Sequence, residues 1–485
     1  MNTTIEPKYK DDTALDVLRR EHKIFLEADC GGNGTCGRCK VKFFDPACCP
    51  PPSEADRKLL TERELQDGFR LACTAVLAGR SEILIPDASL IPSEGSGKEE
   101  TAPPSPSEII AVDYGTTVIS GALVDLNQGV VSEASVLNRQ KAYGADVVSR
   151  IRAANAGYGE ELRRISADDL AALSAKLGRD PEKMRFVISA NTVMGHLVSG
   201  FSCKGLGQYP YEPVDLSLRR DGNLTFLPGI SGYVGADIVS GVCASNLDTA
   251  KEPWLYADIG TNGEMALGTG EDVLVTSAPA GPAFEGAGIS CGMPLIKGAI
   301  RSVKLAGRNA VMDTVGDVEP VGLSGSGVID LVSELLRNRY LDKDGTLAEE
   351  YAGDLPGDGF PVTGDVTVTE KDIREVQKAK AAIRAGMETL IRESGIGRKE
   401  IRKLVIAGSF GSGFDMENAA KIGLIPEDLL DVAMQAGNAS LSGAVLYVLD
   451  TGFGARLEHF AEHAREVILN ESGSFERDYI LRMSF

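Results

Sequence analysis

Two short strings constrain what this chain of 485 residues can fold into more than any other feature. Asp113-Tyr-Gly-Thr-Thr117 closes the apolar run Ile109–Asp113 and leads into Val118-Ile-Ser-Gly-Ala-Leu. Asp258-Ile-Gly-Thr-Asn-Gly-Glu264 closes Trp254–Asp258 and leads into Met265-Ala-Leu-Gly. Each reads as a strand, a tight Asp-x-Gly-Thr turn and a second strand. One such turn is weak evidence, because hairpins often carry Asp and Gly. Two copies 145 residues apart, each after a buried-type strand, point to phosphate chemistry. Gly115 and Gly260 let backbone amides face an anion, and Thr116, Thr117 and Thr261 add hydroxyl donors. Asp113 and Asp258 are suited to hold Mg²⁺ through water or to orient an attacking water.

From Ile109 onward short apolar runs alternate with helical patterns. Arg185–Ser189 and Lys403–Ala407 are further buried-type strands ending at small polar residues. Thr369 to Asp372 has the form of a capping box, and Ile373, Val376, Ile383, Met387 and Leu390 form a helical core stripe behind it. Gly322-Leu-Ser-Gly-Ser-Gly327 opens a helix at Val328, with amides able to face a nucleotide. No GxxxxGK[ST] string is present, which excludes a Walker-type ATPase.

Six of the nine cysteines lie in the first 73 residues. Cys30-Gly-Gly-Asn-Gly-Thr-Cys36-Gly-Arg-Cys39 has the spacing C-x5-C-x2-C, and Cys73 follows at a distance. Four thiolates suffice for a [2Fe–2S] cluster, and Gly31, Gly32, Gly34 and Gly37 permit the turns that aim amides at its sulfurs. A structural zinc site is the competing reading of C-x2-C. The five-residue first gap, the glycine-rich loop and the distant fourth cysteine favour the cluster. Cys48 and Cys49 fall outside the spacing and are read as non-ligands.

Residues 91–107 contain four prolines, four serines and two glycines with almost nothing to bury, the composition of a flexible linker. A flexible segment of this length spans roughly 23 Å. It divides the chain into a first domain, 1–90, and a second, 108–485, so the first is expected to move between docking positions. Lys+Arg is 50 and Asp+Glu 70, a net charge of −20 that argues against nucleic acid as a partner. No run of about 18 apolar residues and no signal-peptide pattern is seen, so a cytoplasmic protein with no membrane contact is expected.

The cysteine loop resembles ferredoxin domains of the plant and adrenodoxin type, which implies an α+β β-grasp domain for residues 1–90. The paired turns resemble the acetate kinase, sugar kinase, heat-shock chaperone and actin superfamily. That resemblance implies an α/β actin-like, ribonuclease H-like ATPase domain of two duplicated lobes over 108–485, with Mg²⁺ and ATP between them. It implies catalytic roles for Asp113 and Asp258. Nucleotide contacts are implied for Gly115, Thr116, Thr117, Gly260, Thr261, Asn262, Gly263, Glu264, Gly325, Gly408, Ser409, Phe410 and Gly411. Gly235–Gly241 and Gly437–Gly443 match its connecting helices, whose small residues let two helices cross closely at a hinge.

The domain order, with Asn191-Thr-Val-Met-Gly-His196 and Ala280–Gly288, resembles the reductive activators of corrinoid proteins. The resemblance implies ATP-dependent delivery of one electron through the cluster to the Co(II) corrinoid of a methyltransferase system, from a low-potential donor; a homodimer is left open. The linker runs almost directly into Asp113, so no extra middle domain is expected before it. Two other classes stand beside this reading: an activator of 2-hydroxyacyl-CoA dehydratases, and a non-enzymatic redox sensor. Within these stretches His196 reads as a satisfied core histidine. Glu285 reads equally as a Mg²⁺ or nucleotide contact and as part of a tight turn.

Overall fold

Ile110, Ala111 and Val112 are fully buried, so the strand they belong to is covered on both faces and sits at the centre of a sheet. The computed structural model describes residues 1–91, 105–307, 309–348, 359–364, 366–408 and 413–485. Most of the expected linker, 92–104, and the nucleotide candidates Ser409, Phe410 and Gly411 lie outside the described residues.

The first domain carries strands β1 (Asn2–Ile5), β2 (Lys40–Phe43), β3 (Phe69–Leu71) and β4 (Ser81–Leu84) in one sheet of order β1-β4-β2-β3. Its core is Ile5, Leu15, Leu18, Leu26, Val41, Leu71 and Ile83, all 2% exposed or less. The cysteine loop runs into β2, and Cys73 follows β3.

The second domain holds two six-stranded sheets. In the first lobe the strands are β5 (Glu108–Tyr114), β6 (Val118–Asp125), β7 (Gly129–Leu137), β8 (Phe186–Ala190), β9 (Arg219–Asp221) and β10 (Leu224–Phe226), in the order β7-β6-β5-β8-β10-β9. The second lobe contains β11 (Trp254–Ile259), β12 (Gly263–Gly268) and β13 (Val273–Ala278). After them come β14 (Ala299–Ala306), β15 (Asn309–Thr314) and β16 (Gly322–Leu323) of a separate three-stranded sheet, and the pair β17 (Gly359–Thr363) and β18 (Val366–Thr369). Finally β19 (Lys403–Ala407), β20 (Ala433–Gly437) and β21 (Ala464–Glu466) complete the main sheet in the order β20-β19-β11-β12-β13-β21.

The two main sheets repeat one plan. Three antiparallel strands, β5-β6-β7 and β11-β12-β13, are extended from their first member by parallel strands, β8 then β10 and β19 then β20. Asp113 lies opposite Ser189 on β8, and Asp258 opposite Ala407 on β19. The two aspartates therefore occupy equivalent places at the C-terminal ends of equivalent strands, where ligands bind in open α/β sheets. This is the duplicated actin-like plan expected from the sequence.

The helix Glu370–Glu393 starts at the expected capping box: Asp372 N donates to Thr369 Oγ1 at 3.2 Å and Thr369 N to an Asp372 oxygen at 2.9 Å. Its stripe from Ile373 to Leu390 is buried in the core of the second lobe. The helix expected to open at Val328 begins earlier, at Gly325, because Ser324 caps it by accepting from Gly327 N. The helices Ala236–Ala244 and Ala439–Leu449 cross where a Cβ on Gly443 would stand 2.5 Å from Ser240, so only glycine fits there.

The first domain sits on the first lobe. Phe25 and Ile91 pack into that lobe's core. Lys141 pairs with Glu27 at 2.7 Å, and the Arg19 guanidinium lies 4.4 Å from the Tyr143 ring centroid and donates to Ala142 O.

Candidate functional site

The two hairpin turns face each other across the cleft between the lobes. Its deepest part is a small cavity of about 80 Å³ lined by Asp113, Gly115, Thr116, Thr117, Asp237, Asp258, Gly260, Thr261, Asn262, Glu264, Glu285, Gly408, Asn438 and Ser440. It opens into a second cavity of about 270 Å³ that shares Thr117, Glu285, Gly408 and Asn438. There the walls turn apolar, with Phe284, Met293, Leu295 and Ile296 beside Ser324 and Gly325. A Cβ on Gly325 would fall 1.8 Å from Phe284 O, so glycine is what lets the 282–285 turn lie against this helix start. Gly263 is placed differently: a Cβ there would stand 2.7 Å from Ile383, and it packs against the helix Glu370–Glu393.

Asp113 is fixed by two donors from the start of the Ala439–Leu449 helix, Asn438 Nδ2 at 2.9 Å and Ser440 Oγ at 2.7 Å. Ser440 Oγ also lies 3.0 Å from Ser189 Oγ, itself 3.0 Å from Ser240 Oγ, so both hinge helices join one hydroxyl chain. Among the described residues Asp258 has only the Tyr256 hydroxyl, at 3.5 Å. Burial raises the pKa of Asp113 against the pull of these donors. Burial, then the charges of Asp237 and Asp113, push Asp258 well above the carboxylate range. Glu264 rises for the same reason, beside Asp237 and Asp258. Asp237, in the first turn of the Ala236–Ala244 helix, is pushed up to about 7 by burial and the Asp113 charge. These acids repel one another in a dry place, and a divalent cation relieves that repulsion. The donor set, carboxylates beside hydroxyls and amides, fits a hydrated Mg²⁺.

Glu285 joins the two hairpins. Thr261 N donates to its Oε1 at 2.8 Å, Thr261 Oγ1 to its Oε2 at 2.8 Å, and Thr117 Oγ1 also donates to Oε2. The carboxylate thus occupies donors from both lobes that a phosphate would need. Glu285→Gln removes the competing charge at nearly the same size. It is expected to lower the dissociation constant of a non-hydrolysable ATP analogue by roughly tenfold. Calorimetric titration checks this, and an unchanged or weaker affinity would show that Glu285 does not compete with phosphate.

In the first domain the four thiols stand as two pairs, Cys30 with Cys36 and Cys39 with Cys73. The hydrogen bond from Cys36, with amides of Thr35, Cys36 and Gly32, draws Cys30 down to about 3. The bond to Cys30 and burial raise Cys36; the bond to Cys39 and burial raise Cys73. The Gly34 amide is aimed at Cys73. Two thiol pairs wrapped in amides fit a two-iron cluster. Among the described residues no three His, Cys, Asp or Glu side chains are placed to hold a single metal ion. Cys49 hydrogen-bonds to Pro50 O and Gly68 O and Cys48 to Asp45, apart from the pairs.

His196 is a neutral core histidine. Its Nδ1 lies 2.8 Å from Thr192 O, and its Nε2 accepts from Val214 N at 2.8 Å. Asp237, Asn438 and Ser440 lie in stretches that the sequence marks only as hinge helices. A polar side chain at the first turn of a small-residue helix after a strand was the available signal.

An iron–sulfur domain ahead of a duplicated, actin-like nucleotide fold defines the class of this protein. Residues 2–78 match a 2Fe-2S iron-sulfur cluster binding domain. Residues 109–250 match the RACo middle region, and residues 252–485 match the C-terminal domain of RACo, the ASKHA domain. Two models of one family thus span more than half of the chain, which belongs to the RACo family. The match described as the middle region falls on the first lobe of this chain.

The chain is similar to the "Corrinoid activation enzyme RamQ" of Eubacterium limosum, 32% identical over 380 residues, 70% of this chain and 64% of that one. It is also similar to the "[Co(II) methylated amine-specific corrinoid protein] reductase" of Methanosarcina barkeri, 32% identical over 286 residues, 53% of this chain and 51% of that one. The chain therefore spans less than two thirds of the length of these relatives. A solved structure, "Reductive activator for corrinoid,iron-sulfur protein", shares the fold over 99% of this chain and 96% of its own, with a TM-score of 0.73 at 24% identity. Among the described residues no helix is long and apolar enough to cross a membrane.

Proposed function

We propose that this chain is an ATP-dependent reductive activator that passes one electron to the Co(II) corrinoid of a partner protein, giving Co(I). The observation that carries the reading is the joining, in one chain, of the paired thiols of residues 30–73 and the paired hairpins at Asp113 and Asp258. The relatives' names give the acceptor its chemistry.

A [2Fe–2S] cluster, when bound, supplies a one-electron carrier. Cys30, Cys36, Cys39 and Cys73 hold it, and the loop amides set the charge around it. Thr116, Thr117 and Thr261, with the turn amides, bind the phosphates, and the cavity beside Phe284 and Met293 takes the base and ribose. Asp113 and Asp258 hold Mg²⁺ through water and orient the water that attacks the terminal phosphate. The electron enters from a low-potential donor and leaves to cobalt, so one reductant equivalent is consumed for each Co(I) formed. A gap of about 0.2 V between carrier and cobalt costs about 4.6 kcal/mol for one electron, a size that ATP turnover covers.

The experiment follows the corrinoid absorption of a candidate partner under anaerobic conditions with excess low-potential reductant. With the full chain and Mg²⁺·ATP, Co(I) is expected to form at least about tenfold faster than with ADP. Equal rates with and without ATP would sink the coupling. A chain that turns over ATP yet never reduces any corrinoid protein would favour the dehydratase-activator or sensor reading.

A further inference from the structure

Arg150 is fully buried, yet among the described residues no carboxylate bonds to it. Its Nη2 donates to Thr116 O at 2.5 Å, Nε to Gly144 O at 2.9 Å, and Nη1 lies 3.1 Å from Met194 Sδ. One guanidinium therefore joins the first phosphate hairpin to the 141–146 loop. Asp146, Asp169 and Glu285 act on its charge only through space. A buried cation held by two carbonyls and a thioether is short of negative charge. A phosphate arriving at Thr116 and Thr117 supplies it.

The other end of the guanidinium holds the seat of the iron–sulfur domain. Ala145 N donates to Asp29 O at 3.0 Å. A Cβ on Gly31 would stand 3.0 Å from Tyr143 O. Asp29 and Gly31 are the residues on either side of Cys30, so the cysteine loop itself rests on this seat. Gly144 packs so tightly on Ser149 that an added Cβ would lie 2.2 Å from Ser149 Cβ, and its φ is +140°, so the loop has no slack there. Moving the Gly144 carbonyl moves the seat.

We infer that Arg150 couples nucleotide binding to the seating of the iron–sulfur domain: phosphate at Thr116 and Thr117 draws the guanidinium off Gly144, and the 141–146 loop then lets go of Asp29 and Gly31. The inference rests on the reading of the hairpins as a nucleotide site. It makes Arg150 a positioning residue, acting through backbone carbonyls. Release frees the cysteine loop to face a partner protein only when nucleotide is bound.

The test uses the full, cluster-loaded chain with Mg²⁺ and adenylyl imidodiphosphate. Calorimetry first establishes binding; no binding would reject the nucleotide reading itself. At saturation, hydrogen exchange of segments 24–34 and 139–147 is expected to quicken by roughly tenfold, with a shift in the cluster's midpoint potential. Arg150→Lys keeps charge without the planar fork. It is expected to bind the analogue more weakly, yet at saturation to show neither change. Arg19→Ala, which removes a seat contact far from the hairpins, is expected to show the released exchange pattern without nucleotide. Bound nucleotide that leaves the exchange of wild type unchanged or slower would overturn the inference. So would a full response in Arg150→Lys, or an Arg19→Ala protein as protected as wild type.

Discussion

The wild-type protein is expected to be red-brown with about two irons per chain, and replacing Cys73 with serine is expected to strip it of both colour and iron. Cys73 stands paired with Cys39, 34 positions earlier, and the Gly34 amide points at it. A serine hydroxyl is a poor substitute for a thiolate, and the remaining three cysteines leave one iron short of a ligand. Cys48→Ser serves as the control: its thiol bonds to Asp45 at 3.6 Å, and its loss is expected to leave the visible spectrum intact. ATP hydrolysis is expected to persist in the Cys73 variant, because the cleft belongs to the other domain. Full iron with an unchanged spectrum in Cys73→Ser would reject the ligand assignment.

The second large effect is expected at Asp258. Asp258→Ala removes a hairpin carboxylate that, unlike Asp113 with its two donors, is held among the described residues by the Tyr256 hydroxyl at 3.5 Å, and so is open to hydrated Mg²⁺ and the attacking water. Hydrolysis is expected to fall by roughly 10²-fold or more, the scale on which loss of one aligned polar group in a dry site is felt. The cluster's absorption is expected to be unchanged. Basal turnover is a poor baseline if a partner is needed to close the cleft, so the assay includes the corrinoid partner. Wild-type rates in Asp258→Ala would show that the hairpins do not hold the reacting phosphate. Asp113→Ala is expected to be more disruptive to the fold, since Asn438 and Ser440 would each lose the acceptor that ties the hinge helix to β5.

The local features were legible in the residues because each depends on near neighbours. A run of buried-type residues ending in Asp-x-Gly-Thr makes a hairpin wherever it occurs, and both hairpins stand where they were expected, at β5–β6 and β11–β12. The cysteine spacing with its glycines carries the loop geometry in a ten-residue string. The capping box at Thr369 and the stripe behind it were likewise readable from three- and four-residue periods.

What the sequence by itself determined, then, was a cysteine loop, two Asp-x-Gly-Thr turns, a family and the order of the parts. Only the tertiary structure decided which distant side chains complete the site. Asp113 and Ser440 are 327 residues apart in the chain and 2.7 Å apart in space, and no periodicity carries that pairing. Glu285 does lie in the tight 282–285 turn that was one reading of it, but its reach to Thr117 across 168 residues, which joins the lobes, is visible only in the tertiary structure. Arg150 sits on a short helix with nothing local to mark it, and gains meaning only because Gly144 and Thr116 converge on its guanidinium. The physical reason is the same in each case. Hairpins, caps and ligand loops are held by hydrogen bonds within a few residues, whereas a cleft between duplicated lobes is made by side chains from both halves brought together by packing.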